Sequence, residues 1–338
     1  MPEVGGRRGN NRAVRGGIVV DLGRHLNRIL SLAVDRRRVR VQPGVVRNEL
    51  NRFLSPYGLF FGPETSTASW AMIGGMVGNN SCGPNSIAYG STRDHLVSAR
   101  GFLADGAEVT FGPLSAAAFA EKCGGPDTLE SSIYGKVRDL LGDEVNRRLV
   151  RDSFPRPEVT RRNTGYALDA VMDASCLDPA SAHDFNMCRL LSGSEGTLFV
   201  GVEFELSLVP LPPPGRLLCV HCRTVDEALR ARLVAMQRCG GKVVLTACEQ
   251  IDDKILACTK DNLEQSRNRD FVVGDPNAVL VVEFKHAERR WVEQSLADLE
   301  ADLRSAGLGY AYPALFGPDG DKVWELRRAT LLCDERIR

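Results

Sequence analysis

The sequence has no net charge of either sign, no long hydrophobic run and no tight grouping of histidines or cysteines. Lysine plus arginine and aspartate plus glutamate number 43 each, so no global basic field argues for nucleic acid or an anionic membrane surface. The longest apolar runs, such as the one around 279–284, are short and interrupted, well below the ~20 residues of a membrane span. Arg7, Arg8, Arg12 and Arg15 stand among glycines with no apolar core behind them, which is not the pattern of a secretory signal. The five histidines (His25, His95, His183, His221 and His286) are too dispersed for a sequence-local metal motif. The ten cysteines lack the dense, regular spacing of a disulfide framework and read as mostly reduced thiols in a cytoplasmic protein. Cys219 and Cys222 have CxxC spacing, but no second CxxC or HxxxH follows. They lie on an expected strand, where small buried hydrophobes are the commoner explanation. Neither GxSxG nor GxxxxGK[ST] occurs, and no internal repeat is visible.

What is present is an ordinary globular composition: 338 residues, 43% apolar and 25% charged, a length that favours two domains over one. Residues 1–16 have almost no apolar content and read as a disordered tail. A buried strand is expected at 17–22, a second at 36–41 before the turn signal Gln42-Pro43-Gly44, and a helix at 46–54. A hairpin is expected around Asp105-Gly106, joining 94–104 to 108–111. Residues 115–151 read as helical, interrupted near Gly124, Gly125 and Pro126. Residues 152–190 read as irregular, with a short helix near 167–172. A strand at 198–208 leads into Pro210-Leu211-Pro212-Pro213-Pro214, a stiff linker taken as the domain boundary. Beyond it, strands at 216–221, 242–245 and 278–284 alternate with helices at 225–238, 252–265 and 289–306. That alternation suggests a small α+β sandwich with its helices on one face of a sheet. A last helix starts at 319, and 329–338 form a divergent polar tail.

The most unusual stretch is 72–91, MIGGMVGNNSCGPNSIAYGS, where Gly74, Gly75, Gly78, Gly83 and Gly90 are interleaved with Asn79, Asn80 and Asn85. Glycine costs the most entropy to order, so it concentrates where backbone must turn tightly or approach something closely. Two readings stand side by side: a compact Gly/Asn turn with no ligand, and a row of unencumbered amides cradling a pyrophosphate. A GxGxxG dinucleotide turn fits poorly, because no apolar strand precedes the glycines and no acid follows about twenty residues on. A second stretch, LLSGSEGTL at 190–198, is by itself a β-turn leading into a strand.

Taken in order, GPETSTASWAMIGGMVGNNSCG, IAYGSTRDHLV, RRNTGYALD and LLSGSEGTL resemble the FAD-binding domain of the vanillyl-alcohol oxidase type. The FAD-linked D-2-hydroxyacid dehydrogenases are the members most resembled: glycolate oxidase, D-lactate dehydrogenase and D-2-hydroxyglutarate dehydrogenase. The segment ACEQIDDKILACTKDNLEQSRNRDFVVGDPNAVLVVEF resembles their C-terminal cap domain. The resemblance implies an α+β chain, with a PCMH-type FAD-binding domain at 17–210 lacking its first βαβ unit. An incomplete, ferredoxin-like cap domain at 211–328 would follow. It implies FAD as cofactor. Pro63, Glu64, Thr65, Ser66, Gly74, Gly75, Asn79, Asn80, Ser81 and Gly83 would line the flavin and pyrophosphate, and Tyr89 and Gly90 would close the loop. Glu195, Gly196 and Val200 would sit against the ribityl or adenine part. Arg327 would grip the substrate carboxylate in a bidentate fork; without the motif it reads as a solvated helix residue.

The same resemblance implies a small 2-hydroxyacid substrate, with the flavin taking hydride from the α-carbon, and a separate electron-accepting or completing polypeptide. The sequence also departs from the family. Its first phosphate loop, a run like RGxGTS, is replaced by GGRRGNNRAVRG. The family's metal-binding histidines and cysteine-rich iron–sulfur domain would lie beyond Arg328. The chain is therefore expected to be truncated at both ends. Two competing expectations remain: a catalytically inactive fragment with weak or no FAD binding, and a nucleotide- or anion-binding module with no redox role.

Overall fold

The computed structural model describes residues 20–328 apart from 157, 158, 160, 164, 239, 240, 261 and 263. The two tails and most of the strand expected at 17–22 lie outside the described residues; Val20, Asp21 and Leu22 are not in a strand. The chain divides into two compact units, residues up to 83 with 90–211, and residues 84–89 with 212 onward.

The first unit is built on an antiparallel five-stranded sheet, ordered β1 (Ile29–Ala33), β2 (Arg38–Val41), β8 (Val200–Ser207), β4 (Leu96–Phe102), β5 (Glu108–Phe111). Two-residue strands β3 (Leu59–Phe60) with β9 (Val209–Pro210), and β6 (Pro113–Leu114) with β7 (Phe185–Asn186), pair beside it. Alternation along β2 and β8 sends Val39, Val41, Phe204 and Leu206 into the core. The opposite face carries Glu203, which accepts from Arg40 (2.5 Å) and Arg100 (3.2 Å). The helices of this unit are α1 (Arg47–Leu54), α2 (Ile73–Asn79), α4 (Thr92–His95), α5 (Ala116–Cys123), α6 (Leu129–Gly142), α7 (Glu144–Ser153), α8 (Leu168–Met172) and α9 (Cys188–Leu191). Phe119 of α5 and Tyr134 of α6 meet Phe185 and Phe111 in one aromatic cluster within the core.

Several expectations are corrected here. The second strand starts at Arg38 rather than 36, because Arg37 adopts a left-handed conformation (φ 50°) and closes a turn from an unforeseen first strand, β1. The long helix to about 148 is two helices. Asp143 takes an extended conformation and its carboxylate accepts from Asn146 N, capping α7.

The second unit has a four-stranded antiparallel sheet, β11 (Val244–Asp252), β12 (Ala278–Lys285), β10 (Gly215–Cys222), β13 (Ala314–Phe316). Its helices are α3 (Ser86–Tyr89), α10 (Val225–Met236), α11 (Asp253–Lys260), α12 (Arg289–Ser305) and α13 (Pro318–Arg328). The expectation of helices on one face is overturned. Leu218, Val220, Leu280 and Val282 pack with α10 and α12, whereas Leu217, Cys219, Val279 and Val281 pack with Leu256 of α11 and Val323 and Leu326 of α13. The continuous apolar runs of β10 and β12 are the physical reason: a strand buried on both faces does not alternate. Strand β11 runs seven residues beyond the expected end, and the helix expected to 265 stops at Lys260, with a separate 3-10 turn at Gln265–Asn268. No helix among the described residues is long and apolar enough to cross a membrane.

Candidate functional site

The two glycine-bearing stretches, distant in sequence, meet in the first unit. Much of 72–91 is helical rather than a loop: Ile73–Asn79 forms α2, ended by Asn80 in the left-handed region (φ 49°, ψ 51°), which asparagine tolerates better than most residues. The last carbonyls of a helix need partners. Here the 192–196 loop provides two of them, since Gly193 N donates to Val77 O (3.0 Å) and Glu195 N to Gly78 O (2.8 Å). Asn79 Nδ2 donates to Glu195 Oε1 (2.8 Å), a side-chain link across 116 positions of sequence. To reach these partners the loop takes positive φ at Gly193 (96°), Glu195 (51°) and Gly196 (71°). The turn into a strand read from LLSGSEGTL is present, with Ser194 N on Leu191 O (3.1 Å) and Thr197 N on Ser194 O (3.0 Å) ahead of β8, and the same loop follows the short helix α9 and caps α2.

Between the stretches lies a concavity lined by Gly74, Val77, Gly78, Leu191, Ser194, Gly196, Phe199, Gly201 and Phe204. Its lining combines Gly74, Gly78, Gly196 and Gly201 with Ser194 and the apolar side chains Val77, Leu191, Phe199 and Phe204, so backbone lies close to a small concavity. The expectation of unencumbered amides across 74–83 is revised: Gly74 N donates to Pro43 O, Asn80 N to Val77 O and Ser81 N to Met76 O. These amides hold the fold; Gly74, Gly75 and Gly78 are buried within α2, and Asn79 is its exposed residue.

Arg93 anchors the second stretch. Its Nη2 donates to Ser192 O (2.6 Å) and its Nε to Arg189 O (2.9 Å), and its backbone N donates to Asn80 Oδ1 (2.8 Å). Burial lowers the pKa of its guanidinium, an effect opposed by the nearby carboxylates of Asp94 and Asp169. The sequence analysis missed Arg93, and its place directly after the Gly90-Ser91 turn was the available signal. The Ser192 hydroxyl is fully buried with no hydrogen-bond partner among the described residues.

The 63–66 segment is placed by Arg47, another residue missed from sequence. Arg47 Nε donates to Pro63 O (3.1 Å), burial lowers its pKa, and the charge of Glu64 opposes that. Thr65 and Thr67 hydroxyls lie 3.1 Å apart. Gly83 passes so close to Glu64 that a Cβ on it would stand 2.5 Å from the Glu64 carbonyl oxygen. Gly90 (φ 64°) leads into a capping box in which Asp94 accepts from Ser91 N (2.7 Å) and Ser91 Oγ (2.9 Å). Val200 begins β8 opposite Phe102, and its carbonyl crowds the glycine at 101.

Two expected site residues belong to the second unit. Tyr89 ends α3, and burial pushes its phenol pKa up, helped by the Glu283 carboxylate. Arg327, on α13, is mostly buried rather than a solvated helix residue, and its Nη2 donates to Glu249 Oε2 at 2.8 Å. Cys219 and Cys222 point to opposite faces of β10, one into each core cluster, so they cannot share a metal; burial pushes the Cys222 thiol up to about 12.

Residues 3–112 match the family model of an FAD binding domain. The chain is similar to D-2-hydroxyglutarate dehydrogenase of Pantoea ananatis, 32% identical over 89% of this chain and 28% of the relative. Its similarity to the Escherichia coli protein of the same name is 35% identity over 74% of this chain and 24% of that one. The glycolate oxidase subunit GlcD of Bacillus subtilis is 23% identical over 98% of this chain and 55% of its own length. Among solved structures, alkyldihydroxyacetonephosphate synthase has the same fold at 16% identity, with a TM-score of 0.55 over 91% of this chain and 44% of that one. The chain thus spans less than a third of the D-2-hydroxyglutarate dehydrogenases it resembles.

Proposed function

Because this chain belongs to the FAD-linked oxidase family, we propose that its first unit holds FAD and that the protein acts in the oxidation of D-2-hydroxyacids. The observation that carries the reading is the convergence of α2 and the 192–196 loop on one glycine-lined concavity. The residues there suit the cofactor. Gly74, Gly78 and Gly196 have no side chain to block close approach to the backbone, and Val77, Leu191, Phe199 and Phe204 give the concavity an apolar lining. When bound, FAD supplies the acceptor for the hydride that leaves the substrate α-carbon.

The chain's own residues then divide the work. Arg93 and Asn79 fix the 189–196 loop, and Arg47 fixes Pro63, Glu64, Thr65 and Ser66 at the edge of the unit. Arg327 would hold the substrate carboxylate in its guanidinium fork once released from Glu249. A small 2-hydroxyacid substrate, a separate electron-accepting polypeptide and a cytoplasmic location complete the proposal. The location is supported by eight described cysteines that are all free thiols.

A second reading is favoured by one observation, the Arg327 guanidinium already engaged by Glu249: a chain that binds FAD and turns nothing over. Anaerobic titration of the FAD-loaded protein with D-lactate, L-lactate, glycolate and D-2-hydroxyglutarate separates the two. Bleaching by a D-2-hydroxyacid and not by L-lactate is the expected result. Retained flavin with no bleaching supports the second reading, and failure to load contradicts both.

A further inference from the structure

Two largely buried cations lie on one side of the sheet of the second unit. Along β11 and β12, Glu249 stands opposite Val281, and Ala247 opposite Glu283. Paired residues share a face, and so do residues two apart on one strand. Glu249 and Glu283 are therefore diagonal neighbours on the same face, about 7–8 Å apart. That face is the one packed by α13, since Ile251 and Val281 cluster there with Val323 and Leu326. Each glutamate holds one cation: Arg327 Nη2 donates to Glu249 Oε2 at 2.8 Å, and Lys285 Nζ lies 3.2 Å from Glu283 Oε2. The four side chains are between 9% and 22% exposed. Thr246 Oγ1 donates to the same Glu283 oxygen at 2.5 Å. Opposite Lys285 stands Gly215, where a Cβ would come within 2.6 Å of Glu283 Oε1 and 2.8 Å of Lys285 Cε. An ion pair buried for stability alone returns little over an apolar pair of the same size. Here, moreover, each cation uses one donor on its glutamate, and neither has a further partner among the described residues.

We propose that Lys285 is a specificity-determining residue that binds a second carboxylate of the substrate, so that the chain selects D-2-hydroxyacids with a carboxylate at each end. The proposal rests on the D-2-hydroxyacid reading and on Arg327 as the group that takes the first carboxylate. The two side chains suit different ends. A planar guanidinium fixes the orientation of the carboxylate beside the reacting carbon, whereas an ammonium on a flexible stem meets a carboxylate whose distance varies with chain length. Glu283 and Thr246 act through Lys285 and are positioning residues, as Glu249 is for Arg327. A substrate with one carboxylate engages Arg327 alone and draws nothing from Lys285.

Glutarate is butyrate with a carboxylate in place of its terminal methyl, so calorimetric titration of the full chain, incubated with FAD, by each of the two reads the second contact without turnover. The wild type is expected to bind glutarate at least about tenfold more tightly than butyrate. Lys285→Met is expected to remove that preference and leave butyrate binding within about twofold, and Lys285→Arg to retain most of it. Circular dichroism confirms that each variant is folded, and the wild-type comparison stands even if Lys285→Met does not fold. Equal wild-type affinity for the two acids, or a folded Lys285→Met variant that keeps the preference, would overturn the proposal. Anaerobic bleaching by D-lactate and by D-2-hydroxyglutarate separates this from the underlying reading: bleaching by both without a preference for the dicarboxylate contradicts the role of Lys285 alone, whereas bleaching by neither contradicts the D-2-hydroxyacid reading.

Discussion

Glu195 holds a left-handed backbone conformation that costs free energy for any residue with a side chain, and it does so between two glycines that adopt such angles freely. The cost is offset by what the conformation delivers: an amide on Gly78 O and a carboxylate on Asn79. The glycines at 193 and 196 were legible in sequence as places of close backbone approach. The strained glutamate was not, because nothing in its identity marks a positive φ. Gly78 is a helix residue with ordinary angles that lines the concavity, so its value lies in the missing side chain. Replacing it by leucine should favour the helix by roughly 1 kcal/mol in propensity while placing a side chain in the lining of the concavity. The expected outcome for Gly78→Leu, which introduces a side chain at a buried position, is a loss of FAD affinity of at least about tenfold, equivalent to ~1.4 kcal/mol, read by fluorescence titration with circular dichroism confirming that the variant is folded.

His221 illustrates the opposite case, a residue that composition could have offered as a ligand and that packing makes structural. Its Nδ1 lies 3.0 Å from Cys219 O and its Nε2 accepts from Val273 N at 3.1 Å, so the neutral ring with its proton on Nδ1 satisfies both. Burial is the main cause lowering its pKa, partly countered by backbone hydrogen bonds. With the folded value depressed, the unfolded chain takes up the proton first as pH falls. Stability is therefore kept above about pH 6.5 and lost between there and the lowered folded value, at no more than ~1.4 kcal/mol per pH unit. Denaturant unfolding from pH 7.5 to 5 should show this slope, and His221→Gln should flatten it.

At the scale of elements, β8 is the organising piece of the first unit, pairing with β2 on one side and β4 on the other. Its alternation made it readable as a strand, and the Asp105-Gly106 signal made the β4–β5 hairpin readable. The register was not readable, because it is set by contacts between distant segments. At Gly101 of β4 a Cβ would collide with Val200 O and the Phe199 ring. The register irregularity between Arg100 and Gly101 sits where the strands crowd closest. Gly101→Ala is expected to destabilise the chain by about 1–3 kcal/mol, measured by urea unfolding, with the exposed hairpin variant Gly106→Asn as a milder comparison. Helix α2 shows a different limit. Three glycines in seven residues argue against a helix by propensity, and the segment is helical because its ends are tied: Ile73 N and Gly74 N bond to Val45 O and Pro43 O, and the 192–196 loop caps the other end.

At the scale of the whole chain, each unit has its own core, and the contact boundary falls between 211 and 212, inside the proline run that sequence had singled out. One feature was invisible to a linear reading: residues 84–89, within the glycine-rich stretch, group with the second unit, where Ile87 packs against that unit's core. The stretch at 72–91 therefore serves two bodies. Its first half contributes Gly74, Val77 and Gly78 to the lining of the concavity, and its second half supplies a helical turn to the other unit, carrying Tyr89 with it. The family resemblance, carried by motif order, pointed to the cofactor. The geometry gives the amides of Gly74, Asn80 and Ser81 to the fold and places Gly74 and Gly78 in the lining of the concavity.

The most direct measurement is the visible absorbance spectrum of the purified chain after incubation with FAD and desalting, with Gly78→Leu treated identically. The expected result is a flavin band retained near one equivalent by the wild type and lost by the variant. A wild-type protein that is folded by circular dichroism and emerges colourless would contradict the assignment of the first unit as an FAD site.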